Sequence, residues 1–145
     1  MIKILCLGRL KETYLKELVS DYLKRINKYH KIEIVELKDE NDLEAEKNHL
    51  LNYITNRDYV ITMDIEGNNL DSVSFANKLE SVFIESSSIV FVIGSSLGLH
   101  EDIKKRANYS LSFSKMTFPH GLFRGILLEQ IYRAFKIINN ESYHK

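Results

Sequence analysis

Apolar residues recur along the chain with two periods, and the two periods alternate from one segment to the next. Short apolar or β-branched runs predict strands, whereas apolar residues that repeat every three to four positions between charged residues predict helices. The predicted strands cover residues 1–8, 31–37, 59–65, 88–93 and 109–113, and the predicted helices cover 12–30, 42–54, 71–85, 101–108 and 122–139. Glycine and asparagine within residues 66–69 predict a turn after the third strand. Asn41 or Asp42, and Asp71 or Ser72, are expected to cap the helices that follow them.

This alternation predicts an α/β fold, a three-layer α/β/α sandwich around a mostly parallel sheet. The run at 88–93 shows no polar alternation, which is typical of a strand that is buried on both faces. The 145 residues contain no linker and no repeat, so a single domain over 1–145 is expected. Ligands of such sheets bind beyond the carboxyl ends of the strands, which directs attention to residues 63–67, 94–98 and 113–118.

Composition narrows the class of protein further. Charged residues make up 28% of the chain and hydrophobic residues 44%, as in ordinary globular proteins. No apolar run approaches the roughly 20 residues of a membrane span, and the first residues lack the pattern of a secretion signal, so we expect a cytoplasmic protein without a membrane partner. Cys6 is the only cysteine, and no two histidines stand four residues apart, so neither a disulfide framework nor a metal site is expected.

Charge is distributed unevenly although the net charge is zero. Residues 1–93 carry 12 basic and 16 acidic side chains, whereas residues 94–145 carry 8 basic and 4 acidic ones. The excess of four positive charges in the last third is either an ordinary fluctuation or a local face that binds a polyanion.

Few residues carry a recognisable chemistry of their own. The turn at 94–98, Gly-Ser-Ser-Leu-Gly, matches neither the dinucleotide-binding nor the phosphate-loop pattern, which disfavours a conventional NAD or ATP site. His120 follows the only proline and could act as a base, contact a ligand or cap the last helix. Arg124 and Arg133 lie nine positions apart and are therefore expected to diverge from a common face of that helix. The residues alone predict an α/β domain with a ligand site near 94–120.

Several segments, spread from the start of the chain to its end, resemble one family. They are IKI and GRLK at 2–4 and 8–11, MDIEG at 63–67, FVIGSSLGL at 91–99, LSFSKMTFPH at 111–120, EQIYRAFK at 129–136 and YHK at 143–145. Together they resemble the ribosomal RNA large subunit methyltransferase H family, which belongs to the SPOUT class, and the resemblance covers the whole chain. One departure is Ser95, which stands where the family usually has glycine.

The resemblance implies an S-adenosylmethionine-dependent enzyme that methylates N3 of a pseudouridine in 23S ribosomal RNA on the assembled ribosome. It also implies a homodimer and a C-terminal trefoil knot, a feature that is otherwise nearly absent from proteins. The implied cofactor contacts are Met63, Gly94, Phe113, Ser114, Lys115, Met116, Thr117 and Phe118. The candidates for RNA binding are Arg124, Arg133, Tyr143, His144 and Lys145, and those for the catalytic group are His120, His144 and Arg124. A SPOUT enzyme acting on transfer RNA and a non-catalytic nucleotide-binding α/β regulator remain as alternatives.

Overall fold

The computed structural model describes all residues from Met1 to Lys145 and consists of five strands and five helices in strict alternation. The strands are β1 (Ile2–Leu7), β2 (Ile32–Leu37), β3 (Tyr59–Asn69), β4 (Ile89–Ile93) and β5 (Tyr109–Ser112). The helices are α1 (Thr13–Asn27), α2 (Leu43–Leu51), α3 (Ser72–Glu85), α4 (Glu101–Arg106) and α5 (His120–Ile138). Each predicted element is therefore present, and the differences lie at the ends.

All strand pairs are parallel, and the strand order is β2-β1-β4-β3-β5. The central strand β4 is buried along its whole length because helices cover both faces of the sheet. Its residues alternate between two cores. Ile89, Phe91 and Ile93 face the core that α1, α3 and α5 cover, whereas Val90 and Val92 face the smaller core under α2 and α4. The three-layer α/β/α architecture is thereby confirmed. The strand order does not test the knot, which stays a prediction.

Side-chain caps begin two of the helices at the residues that the sequence offered for the purpose. The Asp42 carboxylate accepts a hydrogen bond from the Glu44 amide at 3.1 Å, and the Asp71 carboxylate accepts one from the Ser74 amide at 2.7 Å. Each bond satisfies an amide that has no partner within the first turn of the helix. Of the two candidates for each cap, the aspartate is the one used.

The predicted turn at 66–69 is wrong, because β3 continues through Asn69. The side-chain amides of Asn68 and Asn69 donate hydrogen bonds to the backbone carbonyls of Ser110 and Ser112, at 3.0 and 2.9 Å respectively. These asparagines therefore support the pairing of β3 with β5. The irregularity falls earlier, as a shift of register between Met63 and Asn68. The polar, glycine-containing segment signals this bulge, which turn propensity alone does not distinguish from a chain reversal.

None of the five helices combines the length and the apolar character that crossing a bilayer requires. Cys6 lies inside β1 with no exposed surface, and burial raises the pKa of its thiol to about 12. This location agrees with the interpretation of Cys6 as a small core residue.

Candidate active site

A cavity of about 270 Å³ lies at the carboxyl ends of three adjacent strands, β4, β3 and β5. The strand order brings together the three segments that the sequence singled out, although they are far apart along the chain. The lining includes seven of the eight cofactor contacts implied by the resemblance: Met63, Gly94, Phe113, Ser114, Met116, Thr117 and Phe118. The eighth, Lys115, is exposed and lies outside the lining.

The loop after β4, residues 94–98, forms one wall of this cavity and is tightly packed at Gly94. A Cβ atom at Gly94 would lie 2.5 Å from the carbonyl oxygen of Gly98, so any side chain there would have to displace the loop backbone. Gly98 has a φ of +83°, in the left-handed region that favours glycine. Both glycines are therefore required by the backbone path of the loop.

The loop after β5 forms the opposite wall and is rich in aromatic side chains. The Phe123 ring on α5 packs against the Phe113 ring at 5.4 Å and against the Phe118 ring at 6.0 Å between centroids. The Ser114 hydroxyl accepts a hydrogen bond from the Met116 amide at 3.0 Å and so shapes the turn between them. The wall combines aromatic surface with backbone polar groups, as is typical of small-molecule sites.

One charged pair lies at the rim of the cavity, with its carboxylate on the bulge of β3 and its ammonium group on α4. Asp64 follows Met63 at the point where the register shifts, and its carboxylate lies 3.9 Å from the ammonium group of Lys104 on α4. Lys104 is exposed and Asp64 is half-buried, so water reaches the pair and the ion pair is weak. Sequence reasoning did not single out Lys104, whose helix shows no pattern that distinguishes it from an ordinary surface helix.

His120 is the only one of the three catalytic candidates that lines the cavity. It is the first residue of α5, and Pro119, not His120, occupies the N-cap position. The imidazole Nε2 is hydrogen-bonded to the carbonyl oxygen of Gly94. A carbonyl only accepts hydrogen bonds, so Nε2 carries the proton and, in a neutral ring, Nδ1 holds the free lone pair. The side chain thus links α5 to the loop after β4.

A second, more polar cavity of about 830 Å³ adjoins the first and shares Ser95 and His120 with it. The exposed side chains of Arg9, Lys11 and Lys38 lie on its wall, together with the acidic groups of Glu12 and Asp39. The two cavities therefore meet at the loop after β4 and at the start of α5.

Arg124 lies in the wall of this second cavity but not on the protein surface. Only 2% of its side chain is exposed, and its guanidinium donates to the Glu36 carboxylate at 2.6 Å and to the carbonyl of Gly8 at 3.3 Å. Its Nε has no hydrogen-bond partner. The RNA-binding role predicted for Arg124 requires an accessible guanidinium, and the fold instead directs this group inward to the carboxyl ends of β1 and β2.

Glu36 is the counter-ion of Arg124 and also accepts a hydrogen bond from the Leu10 amide at 2.9 Å. Partial burial raises the pKa of Glu36, but these hydrogen bonds and the charge of Arg124 outweigh it and hold the pKa below its usual range. Sequence reasoning missed Glu36, because its partner stands 88 positions away in the chain.

The chain terminus forms a second cluster on α5, on the face opposite Arg124. The Tyr143 hydroxyl donates to Glu129 at 3.1 Å, and its ring packs against the Tyr132 ring at 4.9 Å between centroids. The Arg133 guanidinium contacts Glu129, lies over the Tyr143 ring and donates to His144 at 3.1 Å. The structure therefore brings Arg133, Tyr143 and His144 together, with Lys145 exposed beside them, and none of these residues lines either cavity.

The chain is an α/β protein with a parallel sheet and a cavity at the carboxyl ends of three strands, which is the usual place for a small-molecule site in this class. Comparison with known proteins makes the class specific. The family described as "Predicted SPOUT methyltransferase" matches residues 1–144. A solved structure described as "a probable methylase family protein" from Haemophilus influenzae Rd KW20 has the same fold, with a TM-score of 0.60 at 14% identity, over 99% of this chain and 70% of that one.

Relatives with established names are similar over their full length. A protein of Clostridium perfringens (strain SM101) named ribosomal RNA large subunit methyltransferase H 1 is 47% identical, over 99% of both chains. The ribosomal RNA large subunit methyltransferase H of Caldicellulosiruptor saccharolyticus is 46% identical over 100% of both chains. The chain belongs to the SPOUT methyltransferases and, within them, to the ribosomal RNA large subunit methyltransferase H family.

Proposed function

We propose that this protein transfers a methyl group from S-adenosylmethionine to N3 of a pseudouridine in 23S ribosomal RNA, and that its substrate is the assembled ribosome in the cytoplasm. The observation that carries the proposal is the convergence of three distant strand ends on one cavity, in a chain that is 47% identical to a named ribosomal RNA methyltransferase. No group of three or more metal-binding side chains is arranged to hold an ion, and the proposed chemistry requires none.

The lining of the cavity suits the proposed cofactor in chemical character. Ile93, Leu111 and Phe113 offer apolar surface for a flat base, and the backbones of residues 94–98 and 113–118 offer donors and acceptors close to it. Gly98 lines the cavity and has open space where a Cβ would stand, so a ligand can approach the backbone there without an intervening side chain. Lys104 and Asp64 at the rim provide one charge of each sign, which matches the charged amino and carboxyl groups of a methionine moiety.

Methyl transfer to N3 asks two things of the protein. S-adenosylmethionine carries a methyl group on a positively charged sulfur and is already an activated donor, so proximity and in-line geometry supply most of the acceleration. The N3 atom must also lose its proton as the new bond forms. His120 is the best placed of the candidates to take that proton, because it lines both cavities and its Nδ1 is free when the ring is neutral. His144 is bound to Arg133 and lies outside both cavities.

The RNA is proposed to reach the methyl group through the second cavity, which meets the first at Ser95 and His120. Arg9, Lys11 and Lys38 on its wall provide positive charge for the phosphates next to the target nucleotide. Arg133, Tyr143, His144 and Lys145 form a separate basic and aromatic surface, for which we also propose a role in RNA binding. In the proposed homodimer each ribosome would meet both copies of these surfaces, which raises the number of available phosphate contacts.

Incubation of the protein with labelled S-adenosylmethionine and with ribosomes that lack the modification tests this function. We expect the label in the 50S subunit, on one pseudouridine of 23S RNA, and we expect little transfer to protein-free RNA. Labelling of transfer RNA but not ribosomes would identify a SPOUT enzyme of different specificity. Cofactor binding without transfer to any RNA would instead indicate a nucleotide-binding regulator, and either result would reject the proposal.

A further inference from the structure

Glu46 is a buried carboxyl group to which no part of the proposed reaction assigns a task. It lies on α2, one turn before Leu50, and only 1% of its surface is exposed. Glutamate is almost never fully buried unless its oxygens are paired, because removing a carboxyl group from water is costly. The protein therefore places a polar group at a position where the packing of α2 on the sheet alone would favour an apolar side chain.

Both oxygens of Glu46 accept hydrogen bonds, and neither bond comes from a cation. The hydroxyl of Ser95 donates to Oε1 at 2.8 Å, and the Glu40 amide donates to Oε2 at 3.3 Å. Burial, and then the neighbouring carboxyl group of Asp39, raise the pKa of Glu46. The partner that matters for function is Ser95, because this residue lines the proposed cofactor cavity whereas Glu46 does not.

The Ser95 hydroxyl connects Glu46 to the backbone of the loop at 94–98. Besides donating to Glu46, it accepts a hydrogen bond from the Leu97 amide at 3.2 Å. The Ser95 carbonyl accepts from the Gly98 amide at 2.9 Å, which closes the turn. The loop backbone is thus connected to α2 through one buried hydroxyl.

Helix α2 also contacts the chain just after this loop, at His100. Glu44, two residues before Glu46, accepts a hydrogen bond from Nε2 of His100 at 3.0 Å, and Nδ1 of His100 accepts one from the Asp102 amide at the start of α4. Helix α2 therefore contacts the chain both within the loop at 94–98, through Ser95, and two residues after it, through His100. The buried contact is expected to be the stronger of the two, since the Glu44 side chain is 61% exposed.

We propose that Glu46 is a positioning residue for cofactor binding, which acts through Ser95 to hold the loop at 94–98 in the conformation that contacts S-adenosylmethionine. This inference rests on the proposed function, since it takes the cavity beside the loop as the cofactor site. It also gives a role to the Ser95 hydroxyl, which donates the hydrogen bond that joins the loop to Glu46.

Isothermal titration calorimetry with S-adenosylmethionine tests the proposal on four variants of the full chain. Glu46→Ala and Ser95→Ala each remove one end of the same hydrogen bond, and we expect each to weaken binding about tenfold. The double variant should bind about as tightly as either single one, because both changes break one interaction. Glu46→Gln keeps an acceptor for Ser95 and an amide group that can donate towards Asp39, so its affinity should stay within about twofold of the wild type.

Leu50→Ala is the matched control for a purely structural role. It removes a side chain that is 1% exposed from the same helix but leaves the bond to Ser95 in place. We expect it to lower the melting temperature while the folded protein keeps its affinity within about twofold. Equal loss of affinity in Leu50→Ala and Glu46→Ala would overturn the proposal, because general loosening of α2 would then explain both. Wild-type affinity in Glu46→Ala or Ser95→Ala would overturn it as well.

The outcome for the wild-type protein separates this inference from the proposed function. If the unmodified chain does not bind S-adenosylmethionine, the proposed function fails, and the positioning role fails with it. If the wild type binds and Glu46→Ala binds equally well, only the positioning role is rejected. Hydrogen exchange adds a readout without ligand: the amides of Leu97 and Gly98 should exchange faster in Glu46→Ala than in Leu50→Ala. Equal exchange in the two variants would also count against the positioning role.

Discussion

Replacement of Glu36 by glutamine should destabilise the fold far more than the loss of an ordinary surface charge. The variant leaves the Arg124 guanidinium, which is 2% exposed, without its counter-ion but with a neutral acceptor of the same shape. Removing one partner of a fully buried pair costs about 3–5 kcal/mol, whereas loss of an exposed pair costs about 0–1 kcal/mol. Glu36 is itself 36% exposed, so some water reaches the pair, and we expect a loss of about 2–3 kcal/mol.

Urea denaturation at a fixed protein concentration measures this loss, because the concentration affects the stability of any dimer. Arg124→Met is the control, because it removes the buried partner of the pair and leaves only the Glu36 carboxylate, which water can reach. It should therefore lower the free energy of unfolding by less than Glu36→Gln does. The double variant contains no unpaired buried charge and should recover most of the stability that Glu36→Gln loses. A Glu36→Gln variant within about 0.5 kcal/mol of the wild type, or a double variant no more stable than Glu36→Gln, would refute the reasoning.

The same pair predicts a dependence on pH. The pKa of Glu36 is lower in the folded protein than its ordinary value of 4.5, so the folded state favours the ionised form. The stability that ionised Glu36 contributes is therefore fully present above about pH 4.5 and is lost as the pH falls through the folded-state pKa. The difference in unfolding free energy between wild type and Glu36→Gln should be full at pH 7 and should shrink in acid. A difference that stays constant from pH 7 to pH 3 would contradict this assignment.

Three further predictions concern the cofactor, the RNA and the assembly. Gly98→Ala has no steric conflict, because a Cβ atom there meets nothing within 4 Å, but it opposes a φ of +83° at a cost of roughly 1–2 kcal/mol. Calorimetry should show weaker S-adenosylmethionine binding for Gly98→Ala. The loss of affinity should be larger for Gly94→Val, because its side chain conflicts with the Gly98 backbone. Unchanged affinity in both variants would reject the site. The double variant His144→Ala/Lys145→Ala retains the packed ring of Tyr143, so it should bind cofactor normally. It should methylate ribosomes at least about tenfold more slowly, because it lacks charge for phosphate contacts. Methylation at the full rate would show that these two residues have no role in RNA binding. Sedimentation at micromolar concentration should give twice the chain mass of 16.9 kDa, and a monomer mass would reject the dimer.

The secondary structure was predictable from the sequence because local patterns determine most of it. The unbroken apolar run of β4 indicated burial on both faces, and the aspartates before α2 and α3 marked where these helices begin. The location of the cavity followed from a general property of parallel sheets, which places ligands at the carboxyl ends of the strands. The resemblance to a family then supplied the cofactor and the loops around it.

The pairs of residues that only the fold brings together were not predictable. Arg124 shows the spacing of an ordinary helix surface, and only the approach of β1 and β2 turns its position into a buried one. Glu46 belongs to a short, charged helix, and its bond to Ser95 joins residues 49 positions apart. Asn68 and Asn69 carry turn propensity, yet hydrogen bonds to β5 keep them in a strand. In each case a long-range contact overrides a local preference.

The single thiol of the chain, Cys6 within β1, can report on unfolding without an added label. Cys6 is completely enclosed, and with a pKa of about 12 it has almost no thiolate at neutral pH, so a thiol-modifying reagent has nothing to attack in the native state. β1 lies between β2 and β4 in the interior of the sheet, so fraying at a terminus or movement of a loop leaves the thiol covered. The rate of modification therefore follows the rare opening of the whole sheet, and a cofactor that binds only the native state should slow this chemistry in proportion to its occupancy.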